Sequence, residues 1–167
     1  MLKEERPLAK WRFAVFVCIG LLVVLIDQLT KAWIRGNLAI GETFFEAGFF
    51  RIIRAENTGA IFGSFKEHTQ TIIILAFIGV AVILFLLFYL RRRWPFLNDT
   101  FVLTGVSLVL GGTIGNQIDR IWLGYVTDFL DVSFWPTFNV ADSASTVGSI
   151  VVIYCLIFRS GLFKSGE

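Results

Sequence analysis

Long apolar runs alternate with short polar connections along this chain. Four runs come near the ~20 residues that a helix needs to cross the hydrocarbon core of a bilayer: residues 13–34, 71–90, 100–118 and 141–158. The second and third carry no charged side chain, and the first holds Asp27, Gln28 and Lys31 toward its far end. Residues 41–65, "GETFFEAGFFRIIRAENTGAIFGSF", follow a different rule. Aromatic pairs, β-branched residues and glycines at turn spacing predict a small twisted β-structure there, within an outer segment of about 36–66. A second outer segment covers about 119–142. The pattern predicts one mainly α membrane domain over residues 1–167, with four transmembrane helices and a small β-like cradle on one face.

Composition agrees: 56% of residues are hydrophobic and mean hydropathy is +0.73, against ~45–50% apolar in soluble domains. The N-terminus looks like a secretory signal, with Lys3, Arg6, Lys10 and Arg12 before an apolar core. No small-residue cleavage site follows that core, and "DQLTKAW" continues at helical spacing, so a retained first helix is expected. Basic residues gather at the N-terminus, in "RRRWPFLND" and at Arg159 and Lys164. With four spans these three regions share one side, and the bias of Lys and Arg toward the cytoplasm makes that side internal. Both termini are then cytoplasmic, and Arg35, Arg51, Arg54, Lys66 and Arg120 lie outside. A net charge of +2 offers nothing to a nucleic acid.

The polar residues within or beside the spans narrow the chemistry, because an ionisable group at the bilayer centre costs at least ~2.5–3.5 kcal/mol. Asp27 and Lys31 are four residues apart and can pair on one helix face, a structural ion pair. Gly111 and Gly115 give a close-packing GxxxG surface. Asn116 and Arg120, also four apart, point one way: together they can hold a carboxylate or a polarised carbonyl, or Arg120 can reach lipid phosphates while Asn116 ends the helix. Asp142 opens the fourth span, where it can cap the helix or sit in its first turn, with Asn139 three residues earlier. Asp128 and Asp131 read either as reactive groups or as solvated loop carboxylates.

Several reaction types are poorly served. The one histidine, His68, has no H-x-x-x-H partner for a zinc site, and G-x-S-x-G is absent. Cys18 and Cys155 lie inside apolar runs without ligand spacing. Carboxylates remain. Two brought together cannot both ionise easily, so one keeps a proton. The ionised member then takes a proton from water while the protonated one polarises a carbonyl, hydrolysis that needs no metal or cofactor. Asp128 and Asp142 suit this best, because their elements converge where spans three and four meet the outer surface. Asp131 is the bystander. A proton-coupled carrier and a non-enzymatic scaffold held by its GxxxG face are the competing classes.

Five blocks in order resemble the lipoprotein signal peptidase (signal peptidase II) family: "DQLTK" at 27–31, "NTGAIFG" at 57–63, "GGTIGNQIDR" at 111–120, "GYVTDF" at 124–129 and "FNVADS" at 138–143. The resemblance covers nearly the whole chain. It implies a bacterial inner-membrane aspartic endopeptidase with Asp128 and Asp142 as the catalytic dyad near the outer face. Supporting roles fall to Asn57, Gly59, Asn116, Arg120, Asn139 and Ala141, and structural ones to Asp27 and Lys31. The implied substrate is a diacylglyceryl prolipoprotein, cut just before its lipidated cysteine. The expected surroundings are membrane lipids, a monomeric state, and no metal, cofactor or nucleic acid. Ile61 and Thr113 stand where the family usually has alanine, differences that bear on pocket shape and inhibitor sensitivity.

Overall fold

A computed structural model of the chain describes residues 10–58, 69–90 and 93–159. Gly59, Ile61 and His68 lie outside the described residues. Among the described residues, four helices are long and apolar enough to cross a membrane: α1 (Lys10–Asn37), α2 (Thr69–Leu90), α3 (Thr100–Leu123) and α4 (Val140–Phe158). Four strands, β1 (Thr43–Ala47), β2 (Phe50–Asn57), β3 (Val126–Val132) and β4 (Trp135–Phe138), form one antiparallel sheet in sequence order. The architecture is therefore the mainly α membrane fold with a small β cradle that the sequence predicts.

α3 is the hub. More than half of its apolar window is buried, whereas the windows of α1, α2 and α4 are mostly exposed. Leu21, Leu25, Leu29, Ile74, Phe85, Ile150 and Ile153 all face outward. In water such surface would be costly, and in a bilayer it is the solvent-matched face. The core around Val102, Leu103, Val106 and Leu110 of α3 also takes in Leu87 of α2 and Cys155 of α4.

Glycines let the helices come this close. A Cβ on Gly111 would lie 2.8 Å from the carbonyl oxygen of Gly20, and one on Gly115 would lie 2.6 Å from Asp27 Oδ2. One on Gly112 would run into the Ala141 carbonyl and the Ser145 hydroxyl. The small-residue stripe thus packs α3 against α1 and α4 at the same level.

The helix ends set up the site. Asp99 caps α3, accepting from the Phe101 amide at 2.8 Å. Gly124 ends it in the left-handed region (φ 81°), returning its N–H to the Arg120 carbonyl at 3.1 Å. That reversal launches β3 directly from the end of α3. β3 pairs with β2, whose hairpin with β1 turns at Gly48 (φ 61°). Phe129 of β3 packs on Ile34 and Leu38, fastening the sheet to the end of α1. The sheet thus draws on both outer segments, because β3 and β4 come from residues near 119–142.

Replacing Gly112 with leucine should force α3 and α4 apart, at the ~1–3 kcal/mol typical of overpacking, and lower the thermal midpoint of the purified protein. Gly79→Ala on α2, where an added Cβ meets nothing within 4 Å, should leave the midpoint unchanged or raise it. Equal midpoints for the two variants would contradict this packing.

Candidate active site

The site forms at one end of the bundle, where α1 and α3 finish, β3 starts and α4 begins. Its base is a buried ion cluster. Lys31 and Asp27 are both fully buried, with Lys31 Nζ 2.8 Å from Asp27 Oδ2. The same ammonium donates to Asn116 Oδ1 at 2.8 Å and stands 3.5 Å from Asp119 Oδ2. Asp119 Oδ2 in turn accepts the Thr127 backbone N–H at 2.9 Å. Arg35 Nη1 lies 3.4 Å from Asp119 Oδ1 and donates to Thr127 Oγ1 at 3.0 Å. Gln28 Nε2 reaches Asp27, Asp119 and the Gly115 carbonyl at 3.0–3.2 Å. Asp27 also crosses to α4, where its Oδ1 accepts the Ala141 N–H at 3.0 Å. The expected Asp27–Lys31 pair is present, and it is one edge of a network that joins α1, α3, β3 and α4.

Asn139 connects the two aspartates above this base. It caps α4 in a reciprocal capping box: its Oδ1 accepts the Asp142 N–H at 2.9 Å, and its own N–H donates to Asp142 Oδ2 at 3.2 Å. Its side-chain amide donates to Asp128 Oδ1 at 2.7 Å, with Asn116 Oδ1 at 3.1 Å and the Thr127 carbonyl at 3.3 Å also within reach. The fully buried Asn139 thus holds both carboxylates, Asp128 through its side-chain amide and Asp142 through its backbone N–H. The remaining oxygens are held from other elements. Asn57 Nδ2 donates to Asp128 Oδ2 at 3.0 Å, and Asn116 Nδ2 donates to Asp142 Oδ1 at 2.8 Å. Half-buried Arg120 interacts electrostatically with Asp142, Asp128 and Asp119.

The candidates therefore converge. Asn57, Asn116, Arg120, Asp128, Asn139, Ala141 and Asp142 gather with Asp27 and Lys31 beneath them. Asn116 does not end its helix, which runs on to Leu123, and Arg120 faces carboxylates. Asp131 corrects the expectation of a solvated loop residue: it is buried in β3, opposite Arg51 of β2, and accepts from Arg51 Nε at 2.7 Å. Gln28, Arg35, Asp119 and Thr127 were not singled out. Asp119 had a signal, since it lies three residues after Asn116 in "NQIDR" and so shares its helix face. Among the described residues, no group of three or more His, Cys, Asp or Glu side chains is placed to hold a metal ion.

Burial raises the Asp128 carboxyl from its ordinary 3.8 to about 6. Asp142 adds to the rise by like-charge repulsion, while the bonds from Asn57 and Asn139 and the charge of Lys31 oppose it. At the other end of the bundle, an open hollow of about 430 Å³ lies among Arg12, Phe96, Asn98, Asp99, Phe101 and Arg159, and takes no part in this site.

Fold and site together define a multi-pass membrane protein with paired carboxylates at one end of its helical bundle. Residues 19–158 match the family model described as signal peptidase (SPase) II. The lipoprotein signal peptidase of Dehalococcoides mccartyi (strain ATCC BAA-2266 / KCTC 15142 / 195) is 44% identical over 152 residues, 90% of this chain and 94% of that protein. That of Moorella thermoacetica is 37% identical over 147 residues, 87% and 95% respectively. A solved bacterial membrane enzyme, determined by the in meso method at 2.3 Å resolution, superposes with a TM-score of 0.79 at 29% identity, covering 92% of this chain and 94% of the other. The chain belongs to the signal peptidase II family, the lipoprotein signal peptidases. It is a membrane peptidase, which sets aside the carrier and scaffold readings.

Asp128 also makes folding depend on pH. Its folded pKa lies above its unfolded one, so its contribution is fully present below about pH 4 and is lost as pH rises through about 6. The loss approaches ~3 kcal/mol at neutral pH. Across pH 4–8, the thermal midpoint of Asp128→Asn should decline less steeply than that of wild type. Parallel curves would refute the raised pKa.

Proposed function

We propose that this protein cleaves signal peptides from diacylglyceryl-modified prolipoproteins, just before the lipidated cysteine, with Asp128 and Asp142 activating water. The observation that carries the reading is the bridge through buried Asn139, whose side-chain amide holds the Asp128 carboxylate and whose backbone N–H holds that of Asp142. The charge balance supports it. Four carboxylates (Asp27, Asp119, Asp128, Asp142) face three cations (Lys31, Arg35, Arg120). One proton would neutralise the excess, and a hydrolytic pair sharing one proton needs just that.

The raised pKa nominates Asp128 as the protonated member. In this mechanism Asp128 donates a hydrogen bond to the scissile carbonyl, and Asp142 takes a proton from the attacking water. As the water attacks, Asp128 passes its proton to the carbonyl oxygen, giving a tetrahedral gem-diol. Asp142 then returns its proton to the leaving amine as the C–N bond breaks, and Asp128 recovers its own. Arg120 stabilises the ionised partner, and Asn116 holds the Asp142 oxygen. Gly59, outside the described residues, keeps its family-implied substrate role.

The orientation belongs to the same proposal. Both termini lie in the cytoplasm, and the dyad lies near the outer face of the bacterial inner membrane. Each monomer is complete in itself. The cradle supports contact with the lipid boundary. The tips of its two hairpins lie side by side, with the Ser133 N–H bonded to the Phe49 carbonyl at 3.1 Å, and they expose Phe49, Phe134 and Trp135. Phe44 and Trp33 meet edge-on at 5.1 Å on the α1 side. A lipid-modified peptide with its acyl chains in the bilayer would bring its scissile bond to this level.

Asp128→Asn and Asp142→Asn should each lower cleavage of a purified diacylglyceryl prolipoprotein by ~10²–10⁴-fold or more while still inserting in the membrane. Processing at the wild-type rate by either variant would sink the assignment. Asn57→Leu removes a donor that stabilises the Asp128 carboxylate, so its pKa rises further. The basic limb of the kcat/KM profile should then move to higher pH. A uniform loss of rate at all pH values would mean that Asn57 does no more than support the fold.

A further inference from the structure

The hollow at the end of the bundle opposite the dyad is built from four places in the chain: the first turn of α1, the short 3₁₀ turn Pro95–Asn98, the start of α3 and the residue that ends α4. Its volume, about 430 Å³, is large enough for a ligand headgroup. Two guanidinium groups border it. Arg12 donates through Nη1 to the Asn98 carbonyl at 2.9 Å, and its buried Nε has no hydrogen-bond partner among the described residues. Arg159 lies over the Phe101 ring at 4.9 Å and pairs with Asp99 Oδ1 at 3.2 Å. Asp99 Oδ1 is already engaged by the Phe101 amide. Among the described residues that line the hollow, two cations face one carboxylate, one positive charge in excess.

Its position selects the ligand. Asn116 of the site lies sixteen residues from Thr100 along α3, about 24 Å at helical rise. Dyad and hollow therefore sit near opposite boundaries of a ~30 Å hydrocarbon core. Trp11 and Trp94 are exposed close by in the chain, as aromatics are at a headgroup level. Below the hollow, the outward faces of α1 and α4 are apolar, with Phe13, Val17, Ile153, Tyr154 and Ile157 exposed. A ligand here has its charged end between two arginines and its apolar part along lipid-facing helices.

We propose that this hollow is a binding site for the phosphodiester headgroup of an anionic phospholipid. Arg12 and Arg159 clamp the phosphate, and its acyl chains lie along α1 and α4. One phosphodiester charge matches the one excess cation, and guanidinium is the side chain best suited to hold phosphate oxygens in pairs. Basic pockets between transmembrane helices hold lipid headgroups in the same way. The bound lipid would fasten together the ends of three helices on the side away from the chemistry.

The test uses the full-length protein in neutral detergent with phosphatidylglycerol, phosphatidylcholine or inorganic phosphate added, read by native mass spectrometry and thermal midpoint. Wild type should retain phosphatidylglycerol at least fivefold better than phosphatidylcholine, with a matching rise in midpoint. Arg12→Gln and Arg159→Gln should each remove most of that preference. Arg12→Lys and Arg159→Lys should keep part of it, and Lys10→Gln with Arg93→Gln, charges outside the hollow, should keep all of it. If the glutamine variants do not fold, the wild-type preference and the Lys10/Arg93 control still decide. No preference in wild type, an equal loss in that control, or equal stabilisation by inorganic phosphate would overturn the proposal.

Discussion

Lys31 holds its ammonium where no solvent reaches, between Asp27, Asn116 and Asp119. An unpaired charge at that depth would be prohibitive, so every group around it must be present and aimed correctly. That requirement propagates. Asp27 uses its second oxygen to fix the first turn of α4 through the Ala141 N–H. Asp119 fixes the start of β3 through the Thr127 N–H. Asn116, oriented by the ammonium on its carbonyl side, must turn its NH2 toward Asp142. The positions of both aspartates thus follow from satisfying one buried cation.

The devices that would carry the proposed chemistry are ordinary folding devices put to a second use. A capping box at the start of α4 satisfies backbone donors, as at many helix starts, and here it also sets Asp142 beside the residue that grips Asp128. The glycines of α3 allow close helix packing, and an added Cβ on Gly115 would strike Asp27 itself. Packing and site geometry cannot be separated here, because the same atoms serve both. The opposite end of the bundle is looser. Its helix ends meet around a hollow bordered by exposed or half-buried arginines, and nothing there must be held to the tolerance of a reacting bond.

Family membership and the superposition on a solved bacterial membrane enzyme place the whole arrangement in a known class of membrane peptidase. The local physics adds why the Asp128 carboxyl holds its proton to higher pH than an ordinary aspartate. Asp128 sits on a strand, with Asn57 and Asn139 on its two oxygens and almost no exposure. Two neutral donors do not replace the hydration that burial removes, so the carboxyl rises to about 6 despite them.

The apolar runs by themselves determined the four helices, because a bilayer accepts only helices or closed barrels and runs of ~20 apolar residues have the length of a helix, not of a strand. The aromatic and glycine pattern of residues 41–65 likewise marked a β cradle, and the order of short polar blocks marked the family and pointed to Asp128 and Asp142 as candidates. The tertiary structure decided how these parts meet. Sequence spacing could pair Asp27 with Lys31 on one helix, but not bring either to Asn116 or Ala141, some 85 to 114 residues away. It placed Asp131 as a solvated bystander, whereas strand register sets it opposite Arg51. It gave Asp119 no role, because that carboxylate acquires its partners only when α1 and β3 fold against α3. Periodicity and composition report which solvent a side chain prefers. Which groups satisfy one another in a buried site depends on contacts that form only when distant segments pack.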